Sequence, residues 1–147
     1  MTVVKLLKDC VGVEVTCSKT VIESDVLTFA EITGDFSPNH VDEDLMSKTR
    51  YGGRIAHGAL LVGYMSRAST LITDRCGKLI EKYYPVSLGY DRVRFLQGVR
   101  IGSILTIHYG ITGVDLSKHR TLGLISITNE NGKNCAVATH IMSWLMR

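Results

Sequence analysis

The sequence predicts an α+β fold in which a single antiparallel sheet wraps around one long helix. Residues 58–74 carry apolar side chains at the three- and four-residue spacing of a helix, and the other face of this segment is small and weakly polar. Such a helix is buried on most sides. After it, apolar residues recur at every second position, as in strands. One long helix followed by several antiparallel strands is accommodated when the sheet curls around the helix.

Upstream of the long helix, the sequence predicts a strand, a shorter helix and a loop. Residues 11–21 contain alternating apolar side chains and are predicted to form the strand. Helical spacing begins at residue 23, and Gly34 is a normal signal for a helix end. Residues 35–51 are predicted to be a polar loop with one short helical turn near residues 42–47.

Downstream of the long helix, about four antiparallel strands are expected. Residues 101–111 alternate apolar side chains with small or polar ones. Residues 122–128 and 135–146 are two further predicted strands, joined by a turn at Asn131-Gly132. Both faces of the last strand are fairly apolar, so we expect it to be covered on both sides.

Length and composition are those of one globular domain covering residues 1–147. The chain has 45% hydrophobic and 21% charged residues, and it contains no internal repeat, low-complexity segment or linker. At this length the core needs no metal or disulfide to fold. A net charge of +3 is too small to indicate a nucleic-acid partner.

Targeting signals and cysteine usage predict a cytoplasmic protein. No apolar run approaches the roughly 18 residues that span a bilayer, and the N-terminal segment lacks the apolar core and cleavage site of a secretory signal. The four cysteines are scattered without a C-x-x-C pair, which fits a reducing cytosol better than a disulfide framework or a zinc site. We therefore expect no membrane partner and no metal site.

Charge is distributed unevenly along the chain. Residues 31–44 contain five acidic residues and no lysine or arginine, whereas residues 48–100 contain ten basic residues against three acidic ones. Either these charges are solvated faces of unrelated elements, or they form a cleft with carboxylate chemistry inside and a basic rim for an anionic substrate.

Asp35 and His40 are the first candidates for chemistry. They lie five residues apart on a loop that Pro38 stiffens, so the loop can present a carboxylate and an imidazole to one point. An acid/base pair that shares one water requires this arrangement. The alternative is a turn aspartate, which caps the preceding helix or forms an Asx turn, beside a surface histidine.

His57 and Gly58 open the long helix and are the second candidates. Gly58 has no side chain to obstruct its N–H, and the helix N-terminus adds positive potential there. A carbonyl oxygen that gains negative charge could dock on this N–H. Alternatively, the glycine allows close packing against the sheet, and His57 belongs only to the helix cap. Ser66, two turns further on, either touches a substrate or is simply small.

Motifs of several other enzyme classes are missing from the sequence. It has no G-x-S-x-G, no P-loop and no G-x-G-x-x-G, which leaves nucleophile-elbow, kinase-like and dinucleotide functions without support. The other histidines have no metal-like spacing and are predicted to be structural: His108, His119 and His140.

Two segments of the chain resemble the MaoC-like (R)-specific enoyl-CoA hydratases, which have a hot-dog fold. The first is FAEITGDFSPNHVD at residues 29–42, and the second is IAHGAL at residues 55–60. The family pattern is roughly F-x-x-x-[ST]-G-D-x-[NS]-P-[apolar]-H-x-[DN], followed by [apolar]-[AV]-H-G-[apolar]-[LI]. Residues 89–107 also look like the family's first long strands after the helix, so the likeness extends from about residue 15 over nearly the whole chain.

The resemblance implies roles for individual residues. Asp35 and His40 match the family's catalytic pair, and Gly58 matches the backbone donor to the thioester carbonyl. Two positions depart from the pattern, because Ser37 stands where asparagine is more usual and Asn39 stands where an apolar residue is expected. The polar side chain at position 39 indicates either a substrate with an extra polar group or a harmless exchange. The residues that we predict to bind substrate are Ser37, Asn39, His57 and Ser66.

The activity that the resemblance implies is hydration of a trans-2-enoyl-CoA to an (R)-3-hydroxyacyl-CoA. Asp35 and His40 would hold a water and move its protons, and the Gly58 N–H would receive the charge of the thioester oxygen. Coenzyme A or an acyl carrier protein would carry the acyl group, and no metal or redox cofactor is implied. The sequence does not choose among three candidates for the phosphates of coenzyme A: Arg92, Arg94 and Arg100.

Two other functions are compatible with parts of the pattern. Hot-dog thioesterases and acyl-carrier-protein dehydratases commonly use a carboxylate on the central helix, and the chain has no Asp or Glu between residues 58 and 73. A non-catalytic acyl-CoA or acyl-carrier binding module would not need Asp35 and His40 together. Both alternatives are therefore less well supported than the hydratase.

A homodimer is also expected. The long helix has little charged surface, and one curled sheet covers only one of its faces. Hot-dog relatives pair two copies about a two-fold axis, which makes the sheets continuous and hides an edge strand. The resemblance thus implies a homodimer with the acyl tunnel between protomers and each Asp35/His40 site completed by the other protomer.

Overall fold

A five-stranded antiparallel sheet and the long helix that it wraps form the centre of the molecule. The computed structural model describes residues 2–147. In chain order its elements are α1 (Val3–Asp9), β1 (Glu14–Thr20), α2 (Glu23–Thr33), α3 (Pro38–Val41), α4 (Glu43–Met46), α5 (Gly58–Asp74), α6 (Lys78–Lys82), β2 (Tyr83–Phe95), β3 (Ile104–Asp115), β4 (Arg120–Thr128) and β5 (Asn134–Met146). The strands lie in the order β1-β3-β4-β5-β2, and each neighbouring pair is antiparallel. The α+β prediction is confirmed.

The long helix α5 has the bounds that its apolar spacing predicts. It packs on β1, β3 and β4. Its buried apolar side chains follow one another at three- and four-residue intervals: Leu61, Met65, Ala68 and Ile72. The opposite side of the helix is exposed and carries small residues: Ala59, Gly63, Ser66 and Thr70. The sheet therefore covers one face of α5 and leaves the face with small residues open.

Two strands start later than their alternation predicts. β1 begins at Glu14 rather than at residue 11, and β3 begins at Ile104 rather than at residue 101. A glycine at positive φ precedes each strand, Gly12 at +89° and Gly102 at +95°. This left-handed conformation turns the chain away from the extended path, and glycine adopts it without the strain that a side chain would add.

The polar loop between α2 and α5 contains two short helices. The predicted turn near residues 42–47 is α4, whose first N–H groups are capped by Asp42, since its carboxylate accepts from the Leu45 N–H at 2.9 Å. The sequence did not predict α3. It starts at Pro38, whose fixed φ suits the first helical position, and it carries His40 in its single turn.

Arg54 braces this loop against α2. Its guanidinium contacts Glu43 of α4 at 3.2 Å and also pairs with Glu23, the first residue of α2. The backbone N–H of Arg54 also donates to the Glu43 carboxylate, at 3.1 Å. One side chain thus ties together the two segments that flank the Asp35–His40 turn.

A polar cluster lies inside the core, between the sheet and α5. His140 of β5 is fully buried, and its Nδ1 and Nε2 atoms are each 2.8 Å from a hydroxyl, of Tyr109 and Ser87 respectively. The ring of Tyr90 stacks on the imidazole with centroids 4.5 Å apart. Burial lowers the pKa of His140 to about 4, because the charged imidazolium would lose its hydration.

This buried histidine should make the protein less stable as the pH falls from 7 to 4.5. The unfolded chain binds a proton near pH 6.5, whereas folded His140 does not bind one until about pH 4. The stabilisation is complete above about pH 6.5 and is lost as the pH falls through that window, by up to about 3 kcal/mol. Urea unfolding at several pH values measures it. His140→Gln, which cannot titrate, should flatten the slope, and an unchanged slope would contradict the assignment.

No helix within residues 2–147 is both long and apolar enough to cross a membrane. The four cysteines all lie in the described part of the chain and are free thiols. Three of them are buried: Cys10, Cys76 and Cys135.

Candidate active site

The Asp35 carboxylate is held by a tight turn that follows α2. Gly34 ends the helix in the left-handed conformation, with φ at +78°, and so redirects the chain at Asp35. Asp35 Oδ1 accepts from the Ser37 hydroxyl at 2.6 Å and from the Ser37 N–H at 3.2 Å. These bonds, with smaller contributions from the charges of His40 and His57, hold the pKa of Asp35 below its ordinary value. The carboxylate is therefore ionised at neutral pH.

His40 faces this carboxylate from α3. Its Nδ1 lies 2.7 Å from the carbonyl oxygen of Ile55, which can only accept, so the proton of the neutral ring resides on Nδ1. Its Nε2 therefore carries a lone pair rather than a proton, and this atom lies 4.0 Å from Asp35 Oδ2. Two hydrogen bonds of about 2.8 Å that meet at one oxygen span this distance. The two groups are thus placed to share a water.

His57 contacts both the Asp35 backbone and the His40 ring. It is 1% exposed, and its Nε2 donates to the carbonyl oxygen of Asp35 at 3.0 Å. Its ring stacks on His40 with centroids 3.7 Å apart and contacts Phe29 at 4.8 Å. Its Nδ1 is buried without a hydrogen-bond partner among residues 2–147. His57 therefore joins the start of α5 to the Asp35 turn.

Gly58 is the first residue of α5, and its N–H has no acceptor within the helix. A Cβ atom at this position would lie 2.5 Å from the ring of Phe95. Glycine thus allows the Phe95 ring to pack closely against the helix start, and the same position also offers a backbone N–H at the positive end of the helix. The structure supports both of the roles that the sequence left open.

A cleft of about 730 Å³ opens beside these residues. Its lining includes His40 and Gly58, and Asp35 lies at its margin rather than in its wall. The remaining lining is apolar or neutral except for two guanidinium groups, Arg50 and Arg100. The full set that contributes side chains or backbone is Asn39, His40, Arg50, Tyr51, Ile55, Ala56, Gly58, Ala59, Leu61, Phe95, Leu96, Gln97, Gly98, Val99 and Arg100.

Several predicted residues do not line this cleft. Ser66 is exposed on α5, about 12 Å along the helix from Gly58. Ser37 holds the Asp35 carboxylate, and His57 is buried behind His40. Of the three arginines proposed for the phosphates, only Arg100 lines the cleft, whereas Arg92 lines a second cleft on the outer face of the sheet. Substrate contact by Ser37, His57 and Ser66 stays a prediction.

Sequence reasoning missed Arg50 and Phe95. Arg50 belongs to the basic stretch at residues 48–100, but only the fold shows that it lines the same cleft as Arg100. Its guanidinium donates to the Tyr51 hydroxyl at 3.0 Å, which orients it at the rim. The packing of Phe95 on Gly58 has no signal in the sequence.

Asp35, His40 and His57 could also be considered as metal ligands, because one donor atom from each lies within 4.8 Å of the others. The 4.0 Å between Asp35 Oδ2 and His40 Nε2 exceeds the spacing of about 3.3 Å between ligands of a tetrahedral zinc ion. The spacing fits a shared water better than a metal ion.

Comparison with known proteins identifies relatives. The family model of the MaoC like domain matches residues 10–131 of the chain. An (R)-specific enoyl-CoA hydratase of Rhodospirillum rubrum is 34% identical over 103 residues, which make up 70% of this chain and 66% of that one. The match thus spans just under two thirds of the length of this curated relative.

Solved structures share the architecture. An R-hydratase from Pseudomonas aeruginosa has a TM-score of 0.73 at 23% identity, covering 93% of this chain and 83% of that one. A hot-dog-like protein from Thermanaerovibrio acidaminovorans has a TM-score of 0.68 at 16% identity, covering 99% of this chain and 89% of that one. Likeness at these identities concerns the fold, and the chain has the hot-dog fold that the resemblance implied.

Proposed function

The chain belongs to the MaoC-like domain family, and on this premise we propose that it reversibly hydrates a trans-2-enoyl thioester to an (R)-3-hydroxyacyl thioester. The observation that carries the proposal is the 4.0 Å separation of Asp35 Oδ2 and His40 Nε2 beside a cleft that also contains Gly58. We further propose a cytoplasmic location, where the four free thiols would stay reduced.

In the proposed reaction, Asp35 and His40 bind one water between them. The water oxygen adds to C3 of the acyl group, one of its protons is taken up by the pair, and a proton is delivered to C2. Negative charge that collects on the thioester oxygen is received by the Gly58 N–H. Atoms balance without a leaving group, and no electrons are transferred, so the reaction uses no redox cofactor.

The ionised state of Asp35 and the tautomer of His40 suit these roles. Asp35 accepts a hydrogen bond from the water, while the lone pair of His40 Nε2 accepts the second. General acid/base action of this kind accelerates reactions by about 10²–10⁴. The stacked His57 keeps the imidazole plane fixed, so little reorganisation is needed when the proton moves.

Coenzyme A is proposed as the carrier of the acyl group. Arg50 and Arg100 line the same cleft as His40, and both are exposed, so their guanidinium groups can meet phosphates without loss of a buried partner. Arg94 instead donates to the Val93 carbonyl, and Arg92 faces the outer side of the sheet. We therefore assign the phosphates to Arg50 and Arg100.

Incubation of the purified protein with crotonyl-CoA tests the function. Loss of the conjugated enoyl absorbance with formation of (R)-3-hydroxybutyryl-CoA is the expected result. Release of free coenzyme A thiol instead would identify a thioesterase. Saturable binding without turnover would identify a binding module, and either result would overturn the proposal.

A homodimer is proposed as the form that carries this activity. The edge strand β2 exposes apolar side chains, which include Tyr84, Val86 and Leu88. The open face of α5 is small and uncharged at Ala59 and Gly63. A second copy that pairs β2 with β2 would cover both surfaces and protect the unpaired edge.

Light scattering at low micromolar concentration should therefore give about twice the chain mass of 16.2 kDa. Val86→Lys should shift the protein towards the monomer, because it places a charge on the exposed edge. Thr112→Lys, at an exposed site on β3, is the matched control and should leave the mass unchanged. A fully active monomer would contradict both the assembly and the shared site.

A further inference from the structure

The side chain of Asn39 contacts His40 Nε2, the ring nitrogen that binds the water in the proposed reaction. Its amide nitrogen lies 3.2 Å from His40 Nε2, and Asn39 is half-buried in the wall of the cleft. The family pattern places an apolar side chain at this position, so the contact is a property of this chain rather than of the motif. It was not foreseeable from the sequence, where only the polarity of residue 39 is visible.

The direction of this hydrogen bond follows from the other side of the ring. His40 Nδ1 carries the proton because its partner is the Ile55 carbonyl, so neutral Nε2 has only a lone pair. The Asn39 amide must therefore donate to it. An imidazole nitrogen has a single lone pair, so Asn39 and the reacting water compete for the same site.

Resting on the proposed function, we propose that Asn39 selects for 2-enoyl thioesters that carry an oxygen substituent at C4. In the free protein the Asn39 amide holds the His40 lone pair. A substrate with an accepting oxygen next to C3 draws the amide away and so makes the nitrogen available to the water. A plain enoyl thioester offers the amide no other acceptor, and the base stays partly blocked.

We place the substrate oxygen at C4 because of two distances, from the Asn39 amide to His40 Nε2 and from His40 Nε2 to Asp35 Oδ2. The amide lies within one hydrogen bond of the nitrogen that serves the water, and this water attacks C3. A polar group on the adjacent carbon falls within reach of the same amide after a small rotation of the Asn39 side chain. Asn39 is in this sense a positioning and specificity residue and takes no proton itself.

Kinetics of Asn39→Leu test the selection, because leucine has a similar size and no donor. Its kcat/KM for crotonyl-CoA should rise about threefold or more, and its kcat/KM for 4-hydroxycrotonyl-CoA should fall by a similar factor. The ratio of the two should therefore change about tenfold, which is the effect expected from exchanging one hydrogen bond. Asn131→Leu, in the exposed turn before β5, is the matched control and should leave the ratio unchanged. An equal effect of Asn39→Leu on both substrates would overturn the proposal.

Nitrogen-15 NMR of the histidine rings tests the contact without turnover. In spectra recorded at about pH 8.5, well above the pKa of a free histidine, the wild-type His40 Nε2 resonance should show the upfield displacement of a lone pair that accepts a hydrogen bond. Asn39→Leu should change the position of this resonance, because a water then replaces the amide as the donor to Nε2, while Asn131→Leu should not. An identical resonance in Asn39→Leu would overturn the contact. Wild-type protein inactive on both thioesters, with the NMR difference present, would overturn the proposed function instead.

Discussion

Asp35→Asn and His40→Ala should each lower kcat by at least about 10², while KM changes much less. Both side chains act on the water rather than on the acyl chain, so their loss removes stabilisation that exists mainly in the transition state. Asn keeps the size of Asp35 and its bonds to Ser37 but removes the charge that the shared water requires. Steady-state hydration of crotonyl-CoA measures both constants.

The chain contains matched controls for these two substitutions. Asp115 lies in a similar turn, because its Oδ1 accepts from the Ser117 hydroxyl at 2.7 Å and from the Ser117 N–H at 3.1 Å. Asp115→Asn and His108→Ala, both outside the cleft, should leave kcat unchanged. A variant of Asp35 or His40 that retains more than about a tenth of wild-type turnover would remove that residue from the mechanism.

The helices that the sequence predicts are those whose own residues determine them. α2 and α5 have strong apolar spacing, and Gly34 ends α2 as expected. α1 was not predicted, because Val3 and Val4 favour extended structure and the segment is short. It forms because the core buries Leu6 and Leu7 and because the Thr2 side chain caps its start. Tertiary packing, which no local pattern shows, decides such a segment.

Apolar alternation does not show the edge strand β2 for a related reason, and only the family resemblance at residues 89–107 indicated a strand in its second half. Pro85 and Gly89 interrupt its sequence, and its register with β5 shifts after Ser87 and again after Asp91. Each bulge adds a residue and reverses the alternation, so no period of two survives along the strand. An edge strand tolerates proline because one side of it has no partner strand. Only pairing with β5 reveals that these residues form one strand.

The proximity of Asp35 and His40 could be predicted from the sequence, but their contacts could not. A turn of six residues brings Asp35 and His40 together, so their spacing carries the information. The tautomer of His40 instead depends on the carbonyl of Ile55, fifteen residues further on. The bond from Asn39 to the ring depends in turn on that tautomer. Distant backbone thus determines which nitrogen is basic and which side chain reaches it.

Gly58→Pro should lower kcat by about 10²–10³, because proline removes the N–H that receives the charge of the thioester oxygen. Proline suits the first position of a helix, where no intrahelical bond is lost. His57 already has φ of −59° and ψ of 136°, the conformation that a residue before proline adopts. The helix should therefore be retained, and circular dichroism checks this while crotonyl-CoA hydration measures the loss.

Gly58→Ala separates the N–H from the packing at the same position. Alanine keeps the N–H but adds a Cβ that would lie 2.5 Å from the ring of Phe95, and proline adds a Cβ at about the same place. Phe95 is half-exposed, so its ring can move aside, and Gly58→Ala should retain most of the activity that Gly58→Pro loses. Equal losses in the two variants would assign the effect to Phe95 instead. Phe95→Ala combined with Gly58→Ala should then restore turnover, because that pair removes the collision and leaves the N–H in place.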